Sequence, residues 1–169
     1  PGFRTQNILV ANMIYESRDF NGINEERFLQ ERARVQEKKK KILACPFIEY
    51  HQSCYESIIE KTYGTNYINA KGESAYLNIM YVSPQFFRMF DIDIEEGSIP
   101  EKPERSTYVL NRAAMKALNF SSLGEAAVVE DNRKRRDANA PMSTISAVVK
   151  DYYNGHLTAG AVPTIYEVS

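Results

Sequence analysis

Between Tyr81 and Gly97 the spacing of apolar residues changes period twice. Asn78–Val82 reads as the end of a strand. Ser83 stands where a helix N-cap belongs, and Pro84 at the first helical position, where a missing N–H costs nothing. Gln85–Phe90 predicts a short helix. Phe86, Phe87 and Phe90 fall at i, i+1 and i+4, an apolar stripe that has to be covered. Asp91–Glu95 then alternates acid and isoleucine, which predicts a half-buried strand with its acids in water, ended by Gly97.

The same reading extends along the chain. Asn7–Tyr15 predicts a buried strand. Residues 25–45 predict a long helix, with Phe28, Val35 and Ile42 repeating every seven residues as a buried side. Glu25, Glu26 and Glu31 lie near its start and Lys38–Lys41 near its end, as the helix dipole favours, and Pro46 stops it. Phe47–Tyr55 predicts a strand. Thr65–Asn69 and Ala75–Val82 predict a hairpin around Ala70–Ser74. After a proline-containing connection over 98–106, Thr107–Leu110 predicts a strand and Asn111 the cap of a helix over Arg112–Leu118. Ala126–Val129 and Ser143–Val149 predict a strand pair joined by a basic, solvated tip over 130–140. Pro163–Val168 predicts a last strand. Hairpins mixed irregularly with helices favour an α+β fold with a mixed sheet over a doubly wound one.

Composition narrows the function. The chain has 169 residues, 43% hydrophobic and 25% charged, with a net charge of −1. A chain this long buries roughly two-thirds of its unfolded surface and needs no metal or disulfide to fold. The near-neutral charge argues against a nucleic-acid partner bound by phosphate neutralisation. No run approaches the ~20 apolar residues of a membrane span. The start, Pro1-Gly2-Phe3-Arg4, has the character of a piece cut from a longer protein.

Candidate chemistry is sparse. Cys45 and Cys54 form a candidate disulfide in an oxidising compartment, or remain two small hydrophobes. Glu49, His51 and Cys54 are metal-ligand types, but strand alternation separates Cys54 from the other two, so no metal site is assigned. Asp91, Asp93 and Glu95, or His51 and His156, are the only candidates for catalysis, and no nucleophile or oriented partner accompanies them. No glycine-rich phosphate loop stands at the strand–Asn111–helix join, and no cofactor is expected.

Four landmarks occur in a characteristic order. They are Val82-Ser83-Pro84-Gln85-Phe86-Phe87 followed by Ile94-Glu95-Glu96-Gly97; Val109-Leu110-Asn111-Arg112-Ala113-Ala114; Gly124-Glu125 before a strand pair; and Ile145–Tyr153 followed by Leu157 and Pro163-Thr164-Ile165. In these the chain resembles the MacB-like periplasmic core domain of FtsX/MacB-type ABC transporter permeases. Gly2–Leu9 is similar to the segment that follows their first membrane helix. The resemblance implies a non-enzymatic domain on the periplasmic face of the bacterial cytoplasmic membrane, coupling ATP-driven helix motion to export or to a periplasmic partner. It implies as partners the rest of the permease, its cytoplasmic ATPase, a second permease copy, and a periplasmic protein or lipid-linked cargo. It also implies a porter-like subdomain, placed at 1–97 plus 157–169, and an inserted smaller α/β subdomain at 98–156. Tyr152, Tyr153, Arg133, Lys134, Arg135 and Arg136 are the expected partner contacts, since aromatic and arginine side chains are enriched at binding hot spots. The competing reading is a membrane-tethered extracytoplasmic ligand- or peptide-binding sensor domain. A deep apolar pocket with a few convergent polar groups would favour that reading; a filled core with exposed aromatic edges would favour the transporter.

Overall fold

The computed structural model describes residues 25–51, 63–151 and 160–169. The chain divides into two compact units, one of residues 5–51 and one of residues 1–4 with 52–169. The strand expected over 7–15 lies outside the described residues.

In the first unit, α1 spans Glu25–Leu43. Its expected buried side is a correction. Among its described side chains none is buried; Val35 is half-buried, while Leu29 is 54% exposed and Ile42 37%. Charge pairs along its surface support it instead, with Arg34–Glu31 at 3.3 Å and Lys41–Glu37 at 2.8 Å. Such pairs are each worth a few tenths of a kcal/mol. The strand expected from Phe47 is a second correction: the helix unwinds into a turn in which the Ile48 N–H reaches the Cys45 carbonyl at 3.1 Å, and Phe47 is 91% exposed. Pro46 ends the helix without starting an extended run, and 52–55 lie outside the described residues.

Among its described residues the second unit has seven strands and three α-helices. The strands are β1 (Tyr63–Asn69), β2 (Ser74–Val82), β3 (Ile94–Gly97), β4 (Thr107–Asn111), β5 (Ala127–Glu130), β6 (Ser143–Val149) and β7 (Thr164–Val168). The helices are α2 (Gln85–Met89), α3 (Arg112–Ala117) and α4 (Asp131–Arg136). The sheet order is β3-β6-β4-β7-β2-β1-β5, mixed in direction, and β5 pairs a second time, with β6. That pairing, Ala127↔Thr144 and Val128↔Ser143, closes six of the strands into a ring, with β3 on the outside of β6. The fold is α+β. Strands from both sides of residue 98 share this one sheet: β4 and β6 lie between β3 and β7.

Strand alternation gives the ring two faces. Inside, Leu77, Ile79, Leu110, Val128 and Ile165 pack with Ala114, Met115 and Leu118 of α3. α3 is thus the plug of one end. On the outside, the stripe of α2 is covered as expected. Phe86 and Phe87 are 0% and 2% exposed, with ring centroids 6.0 and 5.2 Å from that of Tyr166. Pro84 already has helical torsions, and the Phe86 N–H reaches the Ser83 carbonyl at 3.0 Å, so the first turn forms where expected.

Asn111 joins these parts. It ends β4, caps α3 and is 1% exposed. Its Oδ1 accepts from the Ala114 and Thr164 N–H groups, each at 2.9 Å, and its Nδ2 donates to the Val162 carbonyl at 2.8 Å. One amide therefore fixes the start of a helix and the entry to the neighbouring strand β7. Asn69 does similar work at the β1–β2 turn: its Oδ1 accepts from the Lys71 and Glu73 N–H groups and its Nδ2 donates to the Leu118 carbonyl.

The acid–isoleucine alternation is corrected in its first half. Asp91 has φ +57° and ends α2: the Asp91 N–H reaches the Arg88 carbonyl and the Ile92 N–H the Phe87 carbonyl. This is a Schellman cap, and Asn119 (φ +53°) closes α3 in the same way. Local hydrogen bonding at a helix end outweighs the two-residue period, so β3 begins only at Ile94, which is 45% exposed. The basic tip over 130–140, between the paired strands β5 and β6, contains α4.

Gly97 is fixed by two independent constraints. Its φ is +76°, and a Cβ there would lie 2.1 Å from the Ser146 carbonyl oxygen. Backbone cannot yield as a side-chain tip can. Gly97→Ala is expected to cost about 3 kcal/mol and to lower Tm by about 6–12 °C. Gly124→Ala, where nothing lies within 4 Å, serves as the control in the same thermal melt.

Candidate functional site

α3 fills one end of the ring; among the described residues no element closes the other. There, strand periodicity brings side chains of like kind to one rim. Glu167 of β7 lies in register with Tyr108 of β4 on one side and Tyr81 of β2 on the other. Tyr67 of β1 is in register with Glu130 of β5. Tyr63 starts β1 at the same rim, and α4 follows β5 directly, carrying Arg133 to it. Together these residues, with Ile79, Val128, Val129 and Ser143, line a groove of about 190 Å³. Its floor is apolar and its walls carry four phenols, two carboxylates and one guanidinium.

The electrostatics follow from that arrangement. Burial raises the Tyr67 phenol pKa well above its ordinary value, and the Glu130 and Glu167 charges add to the effect. Tyr81 is raised by burial and then by Glu167 and Glu130. Tyr108 is raised by burial and then by Glu167, an effect opposed by its hydrogen bond with the Ser143 side chain and by Arg133. All three phenols thus remain neutral donors in a region of negative potential. Hydroxyl donors, aromatic faces and carboxylates in one groove can hold a cation; they do not make a nucleophile and base pair.

The residues expected from sequence are dispersed. Asp91 is in the α2 cap, Asp93 pairs with Lys150 at 3.5 Å, and Glu95 pairs with the Arg112 guanidinium, which also reaches Glu96 at 2.7 Å. These acids do not share one face. Arg133, Lys134, Arg135 and Arg136 are exposed on α4; Arg135 pairs with Asp131 at 2.7 Å, and only Arg133 lines the groove. Cys45 is exposed, and its proposed pairing involves Cys54, which lies outside the described residues. Tyr152, Tyr153 and His156 also lie outside them. Among the described residues no group of three or more His, Cys, Asp or Glu side chains could hold a metal ion.

Sequence reasoning missed Tyr63, Tyr67, Tyr81, Tyr108, Glu130 and Glu167. One signal was present: Glu167 interrupts the otherwise apolar run Ile165-Tyr166-Glu167-Val168. A carboxylate inside a short apolar strand marks a place where the core opens.

No family model matches the chain, and no curated protein matches it. Two solved structures are similar to it in fold. One is a domain of a protein designated a permease from Porphyromonas gingivalis, with a TM-score of 0.48 and 13% identity over 62% of this chain and 45% of that one. The other is the periplasmic region of MacB from Actinobacillus actinomycetemcomitans, with a TM-score of 0.41 and 18% identity over 66% of this chain and 57% of that one. The chain thus spans about half the length of the solved chains it matches.

The raised phenols make stability pH-dependent. In the unfolded chain each phenol titrates near 10, whereas the folded chain holds its protons longer. The stabilisation is complete below pH ~10 and is lost as pH climbs from there through the folded values. Glu167→Gln removes a negative charge felt by Tyr67, Tyr81 and Tyr108. In an ultraviolet phenolate titration it is expected to shift tyrosine ionisation to lower pH and to reduce the alkaline loss of stability. An unchanged titration would contradict the placement of Glu167 among these phenols.

Proposed function

We propose that this chain is the MacB-like periplasmic core domain of an FtsX/MacB-type ABC transporter permease. It acts without catalysis of its own and transmits motion of the membrane helices to work outside the cytoplasmic membrane. The observation that carries this reading is the way the resembling segments meet. Val109–Ala114 and Pro163–Ile165 are tied through the Asn111 amide. Ile145–Val149 pairs with β4 on one side and with Ile94–Gly97 on the other. Val82 pairs with Val168 at the base of the junction that leads into α2. Segments far apart in sequence form one continuous hydrogen-bonded body.

That body suits force transmission. β7 and β2 run parallel and adjacent near the middle of the sheet, so load applied to one is shared along five paired positions. The interior is filled by Leu77, Leu110, Leu118 and Ile165, each at most 1% exposed, while Tyr63, Tyr76 and Tyr81 are about three-fifths exposed. A filled core with exposed aromatics favours this reading over a membrane-tethered ligand- or peptide-binding sensor. Division into a porter-like part (1–97 plus 157–169) and an inserted part (98–156) belongs to the same proposal. It describes the path of the chain, with β4, β5 and β6 of the insertion completing the ring.

The test uses the full-length parent with Cys45 and Cys54 changed to Ser and with Lys102→Cys on the exposed connection before β4. A membrane-impermeant maleimide added to cells with a permeabilised outer membrane is expected to label it. Labelling only after the inner membrane is opened would overturn the location. Spin labels at the same position in two permease copies are expected to change separation between nucleotide-free and ATP-bound states. An unchanged separation would overturn the coupling role.

A further inference from the structure

We propose that the open mouth of the strand ring is a socket for one basic side chain, lysine or arginine, presented by a partner polypeptide. The proposal is independent of the permease reading and survives its failure.

The central feature is Glu167. It is half-buried on β7, an interior strand of the sheet, and its carboxylate lies between Tyr81 and Tyr108 at the same register. Partial burial of a carboxylate is costly unless a cation or donor offsets it. Among the described residues the Glu167 carboxylate has no ion pair and no hydrogen bond, and Arg133, which lines the same groove, has no ion pair with it or with Glu130. Two carboxylates against one guanidinium leave the groove acidic.

The surrounding aromatics narrow the ligand class. A cation held over tyrosine faces gains ~0.5–2 kcal/mol depending on how far it is desolvated, and a carboxylate at the base adds direct pairing. The volume decides between a small molecule and a side chain. Small-molecule sites typically enclose ~300–1,000 Å³, whereas this groove offers about 190 Å³. That is room for one long side chain. The rim then supplies the rest of the contact: Tyr63 and Tyr81 are 60% and 58% exposed, with apolar rings beside the opening that a peptide backbone and neighbouring residues would cover. Isolated ammonium ions would gain nothing from that rim.

The test uses the purified 169-residue chain and three probes: an acetylated, amidated hexapeptide of glycine and serine with one central lysine, its norleucine counterpart, and n-butylamine. Binding is followed by nuclear magnetic resonance of the tyrosine rings and by calorimetry. The lysine peptide is expected to bind at least about tenfold more tightly than either other probe, with shifts at Tyr67, Tyr81 and Tyr108. Glu167→Gln, which keeps the side-chain shape, is expected to weaken it at least about tenfold while leaving the far-ultraviolet dichroism unchanged. Tyr81→Leu is the second variant and should weaken binding without unfolding the chain. Equal binding of the norleucine peptide would overturn the charge recognition. Equal binding of n-butylamine would overturn the polypeptide partner. Absence of lysine-peptide binding to the wild-type chain would overturn the socket altogether.

Discussion

The second unit depends on a single buried amide. Asn111 sits where β4 becomes α3, and its three hydrogen bonds go to three different pieces of backbone: the first turn of α3, the start of β7, and the residue at Val162 that leads into it. A capping side chain contributes ~1 kcal/mol by satisfying one orphan donor. Here the same oxygen satisfies a second buried donor from another strand, and each of those N–H groups would cost about 1–3 kcal/mol if left unpaired. Asparagine is required because the site needs both an acceptor and a donor. Aspartate would face the Val162 carbonyl with no proton to give, and serine is too short to reach both sides.

From this junction the rest of the layout follows. With α3 held at the end of β4, its apolar face enters one end of the ring and closes it with Ala114, Met115 and Leu118. Among the described residues the opposite end has no such plug, and the groove there is lined by four phenols and by carboxylates on β5 and β7. α2 seals the outer face through the aromatic contacts of Phe86 and Phe87 with Tyr166.

Much of this was legible in the sequence because it was set by local rules. The Asn111 cap, the β1–β2 hairpin, the Phe86–Phe87–Phe90 stripe and β6 all stand where pattern and capping chemistry place them. The failures share a cause: a local pattern was outweighed by something its period does not encode. Asp91 and Ile92 fit a strand by alternation but are held in a helix cap by two backbone hydrogen bonds. The heptad spacing of α1 suggested burial that its described side chains do not have. The tyrosine groove was invisible for a different reason. Its members lie on β1, β2, β4, β5 and β7, and only ring closure through Val128↔Ser143 and Ala127↔Thr144 brings them to one rim. Long-range register of that kind leaves no periodic trace in any one strand.

The most direct test of the Asn111 junction is native-state amide hydrogen exchange at Ala114 and Thr164, the two donors that share its side-chain oxygen. If that oxygen couples helix and strand, both amides exchange only through opening of the whole unit, with equal free energies that fall together in Asn111→Ala. If Ala114 instead exchanges at a markedly lower free energy than Thr164, α3 frays by itself and the junction does not hold the unit together.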